Sequence, residues 1–181
     1  MADPNQAKRP VTRLAGPYGH PLHPMLIPVP IGAWIAALVF DVGSHVASSS
    51  TFLADGARWL VGLGLAGAVA AAVFGLLDLV AIPPGTRAMR IGLVHMTVNL
   101  TATALFGIGL AVRWGAGDGP VGYGTLTLDA LGIAVLAVGG FLGGELAYRY
   151  GVRVADERTQ AEGFRDTASA ASRRGAVAEG R

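Results

Sequence analysis

Four apolar runs, each longer than 20 residues and separated by short turns, leave this chain few ways to fold. They cover about Met25 to Val46, Trp59 to Ile82, Met89 to Val112 and Leu126 to Tyr148. As a helix, each run is long enough to cross roughly 30 Å of hydrocarbon at about 1.5 Å per residue. Charged residues make up 14% of the chain, against about 25% in a soluble domain, and the deficit falls in the runs. Backbone inside lipid must close its own hydrogen bonds, and nothing here alternates as a barrel strand would. The sequence therefore predicts an all-α polytopic membrane protein, a four-helix transmembrane bundle with short loops. A buried soluble helical bundle would not need four such runs almost free of charge.

The remaining segments are polar. Residues 1–18 contain proline and several basic side chains and are expected to be disordered. Residues 19–150 form the membrane domain, and 151–181 an Ala-rich, charged tail with few bulky apolar side chains. Lys8, Arg9 and Arg13 precede the first run, but that run is too long for a signal peptide, so it is expected to remain as an anchor. The chain has no cysteine, which excludes disulfides, thiolate iron–sulfur ligation and covalent c-type haem attachment within it.

Basic residues set the orientation. Lys8, Arg9, Arg13, Arg87, Arg90, Arg149, Arg153 and Arg158 fall on one side, and only Arg58 and Arg113 on the other. The positive-inside rule puts both termini in the cytoplasm, with the protein multi-pass in the inner (plasma) membrane. Trp59, Trp114 and Tyr123 then mark the outer interface, and Tyr148 and Tyr150 the inner one.

The stretch Gly19-His20-Pro21-Leu22-His23-Pro24-Met25-Leu26-Ile27-Pro28-Val29-Pro30 stands against the first span. Its prolines fix φ and remove donors, which predicts a stiff, extended lead-in that holds two imidazoles at the inner mouth. Asp78, His95 and Glu145 each lie four or five residues from the inner end of their spans. The five groups thus define one polar layer. Ionisable side chains in membrane helices are costly and face a partner or ligand inside the bundle. Alternatively, Asp78 and Glu145 snorkel to the interface, and His95 is satisfied by Asn99 or a neighbouring helix. Asp41 and His45, four apart on the outer side, read as a structural pair. Gly139, Gly140, Gly143 and Gly144 read as close helix packing.

These residues also carry a resemblance. Gly19-His20-Pro21-Leu22-His23-Pro24-Met25-Leu26, Pro28-x-Pro30-Ile31-Gly32, Phe40-Asp41, Gly75-Leu76-Leu77-Asp78, His95 with Asn99-Leu100, and Gly143-Gly144-Glu145-Leu146 with Tyr148 resemble, in order and spacing, a bacterial four-span membrane family. It is known only as domain of unknown function 2231. The likeness extends over about residues 18–155. It implies the four-span fold but no established activity. Relatives joined to Rieske-type or c-type cytochrome modules make it an indirect pointer to redox chemistry, and these 181 residues contain no such module.

Two functional readings follow. In the first, His95 and either His23 or His20 ligate a haem b for electron transfer, with Met25 and Met96 as weaker ligand candidates. Arg87 and Arg90 pair with its propionates. In the second, His20, His23, His95, Asp78 and Glu145 form a proton site or a divalent-metal site suited to Zn²⁺ or Fe²⁺, or the protein is a structural subunit of a membrane complex. The expected partners are the lipid bilayer and a redox protein or a second copy of the chain. No nucleophile arrangement, phosphate loop or nucleic-acid surface is visible, and no enzymatic activity is predicted.

Overall fold

The computed structural model describes residues 3–16 and 19–164, which are helical with no strand among them. Four helical stretches are long and apolar enough to cross a membrane: Leu22–Ser44, Ser50–Val80, Arg87–Trp114 and Tyr123–Arg149. The first is made of α1 (Leu22–Leu26) and α2 (Pro28–Ser44). Then come α3 (Ser50–Val80), α4 (Arg87–Trp114), α5 (Tyr123–Gly144) and a short surface helix, α6 (Glu157–Gly163). The helices run up and down around a bundle, each packing on its chain neighbours, with α5 closing against α2.

The proline-rich stretch departs from the extended lead-in. Pro21 is extended and caps α1, but His23 already sits on a helical turn. Pro24 falls within the first turn, where its missing donor has no intrahelical partner to lose. Pro28 and Pro30 supply no donors to the turn before them, yet Ile27 keeps a helical conformation and its N–H donates to the His23 carbonyl at 3.2 Å, so the helical path runs on through the prolines. Helix α3 begins nine residues earlier than hydropathy suggests. Its polar first turns are closed by an Asp55–Arg58 pair at 3.2 Å.

The two hairpins, α2–α3 and α4–α5, repeat one another. Pro30, Trp34, Ala37 and Asp41 are buried on the first helix of one. Ala102, Phe106, Gly109 and Arg113, each 72 positions later, are buried on the first helix of the other. Ala57, Val61, Gly64, Ala71 and Asp78 on α3 are matched, 68 positions later, by the buried Thr125, Asp129, Gly132, Gly139 and Leu146. Equivalent positions touch each other only beside a shared two-fold axis, and three pairs do. His23 and His95 approach edge to face with ring centroids 6.4 Å apart. Trp34 and Phe106 stack at 4.2 Å. Asp41 pairs with Arg113. The bundle axis is thus filled by an imidazole layer, an aromatic layer and an ionic layer. The core around the aromatic layer adds Ala37, Ala57 and Val61.

The N-terminal segment also differs from expectation. Residues 4–8 form a 3-10 turn, and Ala7 and Ala15 are buried. Ala7 packs with Ile82, Leu146 and Val152. Its carbonyl accepts from the Arg153 N–H at 3.0 Å, and Lys8 pairs with Glu157 at 2.9 Å. Small alanines among the polar residues let this segment lie flat across the end of the bundle. Both ends of the described chain therefore lie on one face. The part of the tail beyond residue 164 lies outside the described residues.

Candidate functional site

The imidazole layer is built by the repeat. His23 Nδ1 lies 2.8 Å from the Ala71 carbonyl of α3, and His95 Nδ1 lies 2.8 Å from the Gly139 carbonyl of α5. A carbonyl oxygen only accepts, so each Nδ1 carries the proton and donates it. In a neutral ring Nε2 then carries the lone pair, and the Asn99 amide nitrogen lies 3.5 Å from that of His95. One turn beyond each carbonyl is a glycine that makes room for the ring. A Cβ at Gly75 would lie 3.0 Å from His23 Cε1, and one at Gly143 would lie 3.0 Å from His95 Cε1. Asn99 donates to the His95 carbonyl at 2.8 Å. Both rings are half-buried. The same tautomer is thus fixed twice, by equivalent contacts, on two rings facing one axis.

The other members of the expected layer go elsewhere. His20 is exposed, and among the described residues no hydrogen bond or ring contact ties it to the other two histidines. Asp78 is buried and its carboxylate lies 2.8 Å from Arg153 Nε, whose side chain is 5% exposed. Arg153 reaches it from a left-handed backbone conformation, φ 61°, and also donates to the Ala15 carbonyl at 3.3 Å. Glu145 pairs with Arg149 at 3.1 Å. Among the described residues, no three His, Asp or Glu side chains gather as a metal site would require. Arg87 and Arg90 are exposed and line a groove with Ile91 and Glu145, and neither histidine belongs to that lining. Met25 is exposed.

On the opposite side of the bundle, the structure corrects the expected Asp41–His45 pair. Asp41 is bonded to Arg113, and Arg113 also holds Asp129 at 2.5 Å. These three side chains are 0%, 3% and 0% exposed. His45 instead stacks on Tyr123 at 4.8 Å. Arg113, counted with Arg58 on the outer side, is interior. Asp129 escaped sequence reading because it stands alone in an apolar run without a motif. Its one signal is its position, 16 residues from an arginine that also ends a span.

The sequence model of a family described as predicted membrane protein (DUF2231) matches residues 19–156. The chain belongs to the DUF2231 family. No curated protein and no solved structure matches it at a significant level. The matched region of this DUF2231 chain spans both hairpins and all three axial layers, and it ends just past Arg153, the partner of Asp78.

Proposed function

We propose that this DUF2231 protein holds a haem b between His23 and His95 and passes electrons within the membrane. The observation that carries the reading is the matched pair of imidazoles, each with Nδ1 bound to a backbone carbonyl at 2.8 Å, which leaves Nε2 as the nitrogen that would meet a ligand. Metal-bound histidines characteristically donate their second ring nitrogen in this way, which fixes the ring and raises its basicity. The donor count favours haem over a bare ion. A protein-only zinc or iron site takes three or four protein donors, whereas a porphyrin supplies four nitrogens and asks two of the protein.

The spacing is compatible with this reading: His23 and His95 would hold the group from two helices, and their ring centroids are 6.4 Å apart. When bound, the group supplies a one-electron change at iron. The chain's own residues orient the rings through Ala71 and Gly139 and make room for them at Gly75 and Gly143.

The orientation we assign is termini inward, in the plasma membrane. Arg58 and the buried Arg113 stand against the eight basic residues of the other face. The site then lies near the cytoplasmic surface.

The test is optical. Detergent-purified protein, expressed with a haem precursor, shows a Soret band that shifts on reduction. His23→Ala and His95→Ala each abolish the low-spin spectrum, and His20→Ala leaves it intact. Colourless protein from haem-sufficient cells would overturn the reading.

A further inference from the structure

The last turn of α5 does not continue as an α-helix. It widens into a π-turn over Glu145–Arg149, with the Tyr150 N–H donating to the Glu145 carbonyl at 3.2 Å. The helix then stops at a left-handed Gly151 (φ 68°), with the Val152 N–H donating to the Leu146 carbonyl at 3.0 Å. Here the turn sets Glu145 between two adjoining grooves. One is lined by Arg87, Arg90, Ile91 and Glu145. The other is lined by Phe141, Gly144, Glu145, Tyr148 and Arg149, and is largely apolar. Phe141 is 74% and Tyr148 92% exposed, so this second groove opens outward, toward the acyl chains.

The charges of the first groove are unbalanced. Glu145 is engaged by Arg149. Arg87 and Arg90, three apart and so on one helix face, have no carboxylate partner among the described residues, and the first turn of α4 has no acidic side chain. Two unpaired guanidiniums beside a lipid-facing apolar groove call for a ligand with an anionic head and a hydrocarbon chain. Arginine forks match phosphate oxygens in bidentate fashion, and basic pockets between membrane helices bind anionic headgroups.

We infer that Arg87 and Arg90 seat the phosphate of one anionic phospholipid, whose chain runs along the Phe141–Gly144–Tyr148 groove. Glu145, held by Arg149, stands between the two grooves and disfavours a second negative headgroup at the apolar one. This site is independent of the histidine pair and does not need it to be loaded.

The experiment compares the full chain in nanodiscs of phosphatidylcholine with increasing phosphatidylglycerol, reading retained lipid by native mass spectrometry. One phosphatidylglycerol per chain is expected to survive extraction. Arg87→Gln and Arg90→Gln are each expected to weaken its retention about fivefold. Arg13→Gln and Arg158→Gln, exposed basic residues of the same face, are expected to leave it unchanged. Inorganic phosphate added at the same concentration does not displace the lipid if the chain contributes. Equal losses in all four variants would mean diffuse surface attraction and overturn the site. So would displacement by phosphate alone, or retention unchanged by Arg87→Gln and Arg90→Gln.

Discussion

Trp34 and Phe106 lie 72 positions apart in the chain and stack with centroids 4.2 Å apart and planes 11° from parallel. Each ring is admitted by a glycine of its own hairpin. A Cβ at Gly64 would collide with the Trp34 indole, and one at Gly132 would lie 2.7 Å from Phe106 Cε2. Trp34 Nε1 donates to the Val61 carbonyl at 3.3 Å, so the indole cannot slide away cheaply. Gly64→Ala and Gly132→Ala should each destabilise the bundle by about 1–3 kcal/mol through overpacking. That exceeds the gain of up to about 1 kcal/mol that alanine brings to a helix. Reversible unfolding in mixed detergent checks it, and Gly62→Ala, which meets open space, is the control.

The Asp41–Arg113–Asp129 trio is expected to behave as one unit. Arg113→Met leaves two carboxylates buried without a counter-ion and should cost about 3–5 kcal/mol. Adding Asp41→Leu and Asp129→Leu removes the stranded charges and should restore stability to within about 1 kcal/mol of the parent. A triple variant that stays as unstable as Arg113→Met would show that the trio's bonds, and not its charge balance, hold α2, α4 and α5 together.

The two imidazoles should respond alike to equivalent changes. Gly75→Ala and Gly143→Ala each place a methyl 3.0 Å from a ring carbon, which turns the ring off its carbonyl. Nitrogen-15 spectra of the parent are expected to show both histidines as the Nδ1–H tautomer. Each glycine variant is expected to move one histidine's signals and leave the other's closer to the parent. Two histidines in the Nε2–H form would contradict the hydrogen bonding found here.

Docking of the N-terminal segment should weaken in acid. Its bond to Lys8 holds the Glu157 carboxyl below the ordinary value of 4.5, and the Thr159 backbone N–H holds the Asp156 carboxyl below 3.8. Groups lowered on folding stabilise fully above their unfolded values and lose that contribution as pH falls through their folded ones. Protection of the Arg153 amide, which is bonded to Ala7, should therefore be constant from pH 7 to about 5 and decline below about 4. Lys8→Ala should remove most of the Glu157 share of that decline. Both groups are exposed, so the effect is a local loosening and not unfolding of the bundle.

The four crossings were legible because hydrocarbon demands long apolar helices, and that demand is written into composition run by run. The polar layer was legible in part. His23 and His95 stand at similar depths, and the turns between spans fix that depth. Their partners were not legible, since a histidine that donates to a backbone carbonyl leaves no mark on the sequence of the carbonyl's residue, here Ala71 and Gly139. The repeat escaped notice for a related reason. Identity is confined to a few scattered positions such as His23 and His95 or Gly64 and Gly132, while Trp34 against Phe106, Asp41 against Arg113 and Val61 against Asp129 differ in kind and share only spacing and burial.

By itself the sequence determined that this chain crosses a membrane four times and that His23 and His95 stand at similar depths. Tertiary structure alone decided which charges meet. Asp78 went to Arg153, and Asp41 and Asp129 went to Arg113, because an ion pair in a dry interior forms with whatever the crossing helices bring within reach. Distance along the chain carries no information about that reach.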